Sequence, residues 1–143
     1  MSEYHEVKTE YKDGEALVEA LGELGYKTVE VHETPQQLID YRGNPTRYID
    51  KSGDKANIIV RRQFVGSAAN DLGFLRKPDG SYSAMISEYD SGKHNKSWLL
   101  NLKKNYGEKV LIKTAAKQGF KYLGKKPIEG TKKFQFQWLD TRA

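Results

Sequence analysis

The apolar residues of this 143-residue chain come in short periodic segments, and this pattern most limits how it can fold. No uninterrupted apolar run exceeds four residues, whereas a helix that crosses a bilayer needs about 20. Segments with helical spacing and segments with strand spacing are grouped rather than strictly alternating. We therefore expect an α+β fold, a single domain over residues 1–143, in which two or three helices pack on one face of a mostly antiparallel sheet.

Local signals place the individual elements. Asp13 caps a first helix over residues 15–24, and Gly25 ends it. Asn95 or Ser97 opens a second helix, which Gly107 separates from a third over residues 108–118. Residues 34–41 are predicted as a further strand or as an irregular piece. The remaining strands are predicted at 3–10, 26–31 and 56–64, as a hairpin of 72–77 and 81–89 across Pro78-Asp79-Gly80, and as a closing hairpin of 120–124 and 133–138.

Two segments of the chain are similar to each other at an offset of 94 residues. Residues 15–27 and 109–121 each contain a helical pattern, a glycine, an aromatic residue and a lysine. This similarity indicates a helix–strand pseudo-repeat, with both helices on the same sheet. The other interpretation is that both segments contain the common glycine-capped turn from a helix into a strand.

The charge is unevenly distributed along the chain. The whole sequence has a formal charge of +5, but residues 1–36 carry −6 and residues 37–143 carry +11. Residues 91–133 contain twelve lysines, two glutamates and no arginine. Such asymmetry favours an anionic partner for the basic part, although a solvated surface without a partner has the same composition. Lysine lacks the rigid fork of arginine, which argues against reading of a base sequence.

We define the lysine surface as the predicted contact surface for this anionic partner. The partner is a nucleotide-type ligand, a nucleic acid or an acidic protein. A homodimer is also kept open, because a glutamate stripe on the first helix matches a lysine stripe on the third. The lysine surface consists of Lys103, Lys104, Lys109, Lys113, Lys117 and Lys121.

Familiar catalytic and cofactor motifs are missing from the sequence. It has no cysteine, which excludes disulfides, zinc–thiolate sites, iron–sulfur clusters and thiol catalysis. It also lacks the glycine-rich phosphate loops and the serine elbow of hydrolases. Glu88, Asp90 and His94 could in principle hold a metal, but a polar loop after a strand is the favoured interpretation. We therefore predict no metal and no cofactor.

A second group of polar residues lies near predicted strand ends. Arg61 and Arg62 end an apolar strand, so one of them needs a carboxylate, and Asp71 and Glu88 are the candidates. A structural ion pair and a ligand site are both compatible with this pattern, and the ion pair is favoured. The predicted ligand-binding residues are Tyr41, Arg42, Arg61, Arg62, Asp71 and Glu88.

Several short motifs, in their order and spacing, resemble one family over nearly the whole chain. They are Leu24-Gly25-Tyr26, Tyr41-Arg42-Gly43, Asn70-Asp71-Leu72-Gly73-Phe74, Tyr106, Gln118-Gly119-Phe120 and Gln137-Trp138. The family is that of the conserved plastid open reading frame thirty-five, a domain of unknown function found in algal plastids, cyanobacteria, other bacteria and phages. The longer loop at 44–56 and the density of lysines depart from its usual pattern, which leaves a specialised member such as a phage protein open.

The resemblance implies a function class without an activity. Bacterial members are often encoded beside an ATPase of the AAA type, which implies an accessory or partner-binding role. We therefore expect a cytoplasmic, non-enzymatic binding protein that contacts its partner through the lysine surface. The alternatives are a small-molecule sponge or enzyme with a pocket of arginine and carboxylate side chains, and an accessory subunit of an ATPase complex.

Overall fold

The structure is a computed structural model that describes residues 3–142. Met1, Ser2 and Ala143, which the predicted single domain includes, lie outside the described residues. A single 3₁₀ turn at Glu88–Asp90 follows the fifth strand. The elements in chain order are β1 Tyr4–Lys8, α1 Gly14–Glu23, β2 Glu30–Gln37, β3 Lys55–Val60, α2 Arg62–Val65, β4 Leu72–Arg76, β5 Tyr82–Ser87, α3 Lys96–Lys117, β6 Phe120–Pro127 and β7 Phe134–Asp140.

Five strands form one antiparallel sheet in the order β1-β5-β4-β3-β2, and β6 and β7 form a separate two-stranded sheet. The predicted α+β class with a mostly antiparallel sheet is confirmed. The predicted hairpin across Pro78-Asp79-Gly80 is also confirmed, because β4 and β5 pair antiparallel. Gly80 in the turn has a positive φ of +88°, which glycine adopts readily.

Apolar side chains cover both faces of the five-stranded sheet. On one face, Leu17 and Leu21 of α1 and Leu102 of α3 belong to a cluster with Phe74 and Ile86 of the sheet. A smaller cluster comprises Tyr4, Leu38, Ala56, Ile59 and Met85. Strand β3 is consequently buried from Ala56 to Val60, as expected for a strand covered on both sides.

The chain divides into two compact units, Met1–Tyr106 and Gly107–Ala143, which we call the N-terminal and the C-terminal unit. All fully buried side chains of the described residues belong to the N-terminal unit. In the C-terminal unit, Phe120, Tyr122, Phe134, Phe136 and Trp138 are only half-buried. The number of domains stays a prediction.

Several predicted boundaries are wrong, and for three of them the structure shows the reason. Gly107 does not break the helix, because one glycine costs only about 1 kcal/mol inside α3, which has 22 residues. Strand β3 ends at Val60, because the Asp71 carboxylate binds the backbone N–H of Arg62 and turns the chain into α2. Strand β2 starts at Glu30 rather than Tyr26, whose N–H instead closes the end of α1 on the Leu21 carbonyl.

The helix–glycine–strand pattern occurs twice, as the sequence similarity indicates. Gly25 follows α1 with a φ of +104°, and Gly119 follows α3 with a φ of +90°. Both angles lie in the left-handed region that glycine adopts readily after a helix. The strand after the first glycine joins the five-stranded sheet, however, whereas the strand after the second joins the two-stranded sheet.

Candidate functional site

The side chain of Arg61 lies between carboxylates from two neighbouring parts of the sheet. Arg61 follows β3 and Asp71 precedes β4. Because Val60 pairs with Leu72, both residues lie at the same end of these two neighbouring strands. Arg61 Nη1 lies 2.9 Å from Asp71 Oδ2, and Arg61 Nε lies 2.8 Å from Glu30 Oε2. We call these three residues the arginine network. The predicted ion pair of Arg61 with Asp71 is present, and Glu30 rather than Glu88 is the second carboxylate.

Hydrogen bonds to the backbone fix this network in the fold. The fully buried side chain of Asp71 accepts the N–H groups of Ile39 at 2.8 Å and Arg62 at 2.7 Å. The hydrogen bonds from Arg61 lower the pKa of Glu30, and Glu30 in turn raises the pKa of Arg61. Because two carboxylates pair with one guanidinium, the three side chains together carry a formal charge of −1, so the network joins the loops but does not attract an anion.

An exposed pair of aromatic rings lies near the arginine network. The rings of Tyr41 and Tyr89 are stacked, with centroids 6.3 Å apart and planes inclined by 16°. Arg42 lies over the Tyr41 ring at 5.1 Å and donates through Nε to the Tyr41 hydroxyl at 2.7 Å. Arg62 Nη1 donates to the Tyr41 carbonyl. We call Tyr41, Tyr89 and Arg42 the tyrosine platform.

A buried asparagine connects the two loops that carry the platform. Asn70 Oδ1 accepts the Tyr41 N–H at 2.8 Å, and Asn70 Nδ2 donates to the Ser87 hydroxyl and to Asp90 Oδ2. Asp90 Oδ2 also accepts the Asn70 N–H at 2.9 Å. These bonds fix the backbone of the Tyr41 loop relative to the turn that carries Tyr89.

The structure brings most predicted ligand-binding residues together. Tyr41, Arg42, Arg61, Arg62 and Asp71 belong to the arginine network, the platform or their immediate contacts. Glu88 is exposed in the 3₁₀ turn that carries Tyr89, and its N–H donates to the Glu3 carbonyl. An open depression of about 340 Å³ is lined by Gln36, Gln37, Ile39, Arg61, Arg62, Gln63 and Asp71.

Sequence reasoning missed Glu30 and Asn70 as members of this region. Glu30 contacts Arg61 through the pairing of β2 with β3, which contains a register shift between Val31 and Gln36. Asn70 contacts Asp90 across 20 residues. The only available signal for either residue was a polar side chain beside an apolar strand, which is too common to identify a partner.

The lysine surface is divided between the two units. Lys103 and Lys104 are exposed in the N-terminal unit. In the C-terminal unit, Lys109 and Lys113 are half-buried and have interaction partners, whereas Lys117 and Lys121 are exposed. Residues 107–142 contain nine basic and three acidic side chains, a formal charge of +6. Of these basic residues, Lys125 pairs with Glu108 and Arg142 pairs with Asp140.

Among residues 3–142, no group of three histidine or carboxylate side chains could hold a metal ion. His94 is buried against the Trp98 ring, with centroids 4.4 Å apart. The Asp90 carboxylate is used by Asn70. Within the same described residues, no helix combines the length and apolar character that a membrane span requires.

The comparisons with known proteins give one match. A family model described as "Protein of unknown function (DUF1257)" matches residues 20–132 of the chain. The match includes part of each unit. No curated protein and no solved structure matches the chain.

Proposed function

Because the chain belongs to the DUF1257 family, whose description names no activity, we propose a function from charge and geometry. The protein is a non-enzymatic binding protein that takes a nucleic acid on the lysine-rich surface of its C-terminal unit. The observation that carries this proposal is the +6 charge of residues 107–142, where Lys117, Lys121, Lys132 and Lys133 are exposed. Flexible lysines contact phosphates as point charges, which supports binding without base readout.

The arginine network disfavours the alternative of an enzyme or sponge with an arginine-lined pocket. Glu30 and Asp71 already occupy Arg61, and the adjoining depression is open. A ligand anion there would compete with two carboxylates at hydrogen-bond distance.

Binding of a fluorescein-labelled 30-nucleotide single-stranded DNA tests the proposed function. We expect the affinity to fall at least tenfold between 50 and 200 mM NaCl, because binding releases counterions from the phosphates. The double variant Lys117→Glu, Lys121→Glu is expected to bind more weakly and to show a smaller salt dependence. Fluorescence anisotropy measures both quantities.

A matched control separates this surface from overall charge. Lys51 and Lys55 are exposed before and at the start of β3, and the variant Lys51→Glu, Lys55→Glu changes the net charge equally. We expect it to retain most of the wild-type affinity. Equal losses in the two variants, or no binding at 50 mM NaCl, would contradict the proposal.

The sequence predictions about the origin of the chain, its location and its partners are also proposals. The chain is a bacterial or phage relative of the plastid open reading frame thirty-five proteins and acts in the cytoplasm, and an accessory role beside an ATPase of the AAA type is the alternative function. The resemblance in sequence motifs supports this context. A homodimer that pairs the glutamate stripe of one copy with the lysine stripe of another would dissociate at high salt. Light scattering at two salt concentrations distinguishes it from a monomer.

A further inference from the structure

A groove lies between strand β1 and the first half of α3, within the N-terminal unit. It has a volume of about 330 Å³ and is lined on one side by Val7 and Lys8 at the end of β1 and by the next three residues, Thr9 to Tyr11. On the helix side it is lined by Lys96, Leu99, Leu100 and Lys103, which recur at the spacing of one helix face. We call this cavity the β1 groove.

The backbone beside the groove is an open sheet edge. β1 is the terminal strand of the five-stranded sheet, and among the described strands it pairs only with β5. The N–H of Glu88 donates to the carbonyl of Glu3, which makes this a hydrogen-bonded pair. Hydrogen-bonded pairs alternate with non-bonded pairs along an antiparallel ladder, so His5 and Val7 also bond to β5. The backbones of Glu6 and Lys8 therefore face away from β5, where an additional strand could bond to them.

The side chains around the groove favour an occupant with two properties. Val7 and Leu99 provide an apolar surface, and Leu100 is 57% exposed. Lys8, Lys96 and Lys103 add three positive charges, against one negative charge from Glu10. The groove therefore complements an acidic chain that also carries apolar side chains, and it repels a basic one.

We propose that the β1 groove binds an extended acidic peptide segment of a partner protein, which adds a strand to β1. The distance from Lys96 to Lys103 along α3 is about 10 Å, which matches about three residues of a strand. Backbone hydrogen bonds to β1 would supply affinity, and the lysines would select acidic side chains. Lys103 belongs to both the groove and the lysine surface, whereas Lys117 and Lys121, on which the nucleic-acid proposal is tested, lie in the C-terminal unit and do not line the groove.

The test uses the full chain and an end-blocked, fluorescein-labelled heptapeptide that alternates glutamate with valine. We expect saturable binding by fluorescence anisotropy at 50 mM NaCl. The variant Lys96→Glu, Lys103→Glu is expected to bind at least tenfold more weakly, whereas Lys117→Glu, Lys121→Glu stays within twofold of the wild type. Unchanged thermal melting shows that the exposed substitutions leave the fold intact.

Two N-methylated peptides test strand addition directly. N-methylation of alternate residues blocks either the edge that faces β1 or the opposite edge, so one peptide should lose binding and the other should retain it. Equal binding of both peptides, equal losses in the two lysine variants, or no binding of the parent peptide overturns the proposal. DNA binding is measured on the same two variants. We expect Lys117→Glu, Lys121→Glu to weaken DNA binding and Lys96→Glu, Lys103→Glu to weaken peptide binding. The failure of one proposal is therefore distinguishable from the failure of the other.

Discussion

At the scale of single residues, the unusual group is a buried histidine whose ring has no hydrogen-bond partner among the described residues. The residue His94 is 4% exposed, and neither ring nitrogen has a hydrogen-bond partner among the described residues. Its ring instead packs on Trp98 at 4.4 Å and faces Tyr26 at 6.4 Å. A buried polar group without partners is destabilising, so His94 lowers the stability of the N-terminal unit relative to an apolar ring.

Burial lowers the pKa of His94 to about 4, with a further lowering by Lys93 and an opposing effect of Asp90. The unfolded chain binds the proton near pH 6.5, so stability falls as the pH drops from about 6.5 towards 4. We expect a loss of about 2 kcal/mol between pH 7.5 and pH 5 from this residue. Urea unfolding at the two pH values measures it.

The variant His94→Phe removes the titrating group and keeps an aromatic ring of similar size. We expect it to be more stable than the wild type at both pH values and to lose most of the difference between them. If His94→Phe keeps the full pH dependence of the unfolding free energy, that dependence comes from carboxylates elsewhere in the fold and not from His94.

At the scale of elements, α3 shows how a long helix tolerates an interior glycine. A Cβ added at Gly107 would meet nothing within 4 Å, so no packing requirement explains the glycine. The neighbouring lysines and Glu108 are good helix formers, and they compensate for one poor position. The glycine therefore marks a locally weak point in the helix.

The substitution Gly107→Ala is expected to stabilise the protein by about 0.5–1 kcal/mol, because alanine loses less backbone entropy in a helix. Thermal melting followed by circular dichroism measures the change. Gly119→Ala is the matched control and should destabilise, since Gly119 has a φ of +90° and a Cβ there would lie 2.5 Å from Arg142 Cγ. Loss of stability in Gly107→Ala would indicate that the helix must bend at this position.

Elements with local signals could be predicted from the sequence, and those that depend on distant contacts could not. The Asp13 side chain caps α1 through the Ala16 N–H, as predicted, because a cap needs only residues three positions apart. Asn95 likewise accepts the Trp98 N–H at the start of α3. The short helix α2 was missed, because it depends on Asp71, nine residues beyond Arg62.

The same distinction applies to the candidate site. The pair of Arg61 and Asp71 was predictable, since a charged residue at the end of an apolar strand needs a partner nearby. The stacking of Tyr41 on Tyr89 was not, because it depends on Asn70 and on the path of two loops. The groove beside β1 was also missed, since strand order is not a property of any local segment.

At the scale of the whole molecule, burial is unequally distributed between the two units. The N-terminal unit contains fully buried side chains such as Phe74, Leu17 and Leu72, whereas no described residue of the C-terminal unit is fully buried. A two-stranded sheet is at most marginally stable without a packed core. Local opening should therefore require less free energy in the C-terminal unit.

Hydrogen exchange measured by mass spectrometry tests this difference. We expect the amides of β3, β4 and β5 to exchange at least a hundredfold more slowly than those of β6 and β7, because opening the buried strands requires unfolding of the core. Equal protection of both sheets would indicate that the C-terminal unit opens only with the rest of the molecule.

The strand order also has a consequence for synthesis on the ribosome. β1 is synthesised before the other described strands, but its partner in the sheet is β5. Tyr4 can therefore join the sheet only after Ser87 has been synthesised. Residues 30–76 can form β2, β3 and β4 pairs earlier, since those strands are neighbours. The nascent chain therefore carries an unpaired strand until β5 has left the exit tunnel, and the acidic residues of its first segment help to keep that strand in solution.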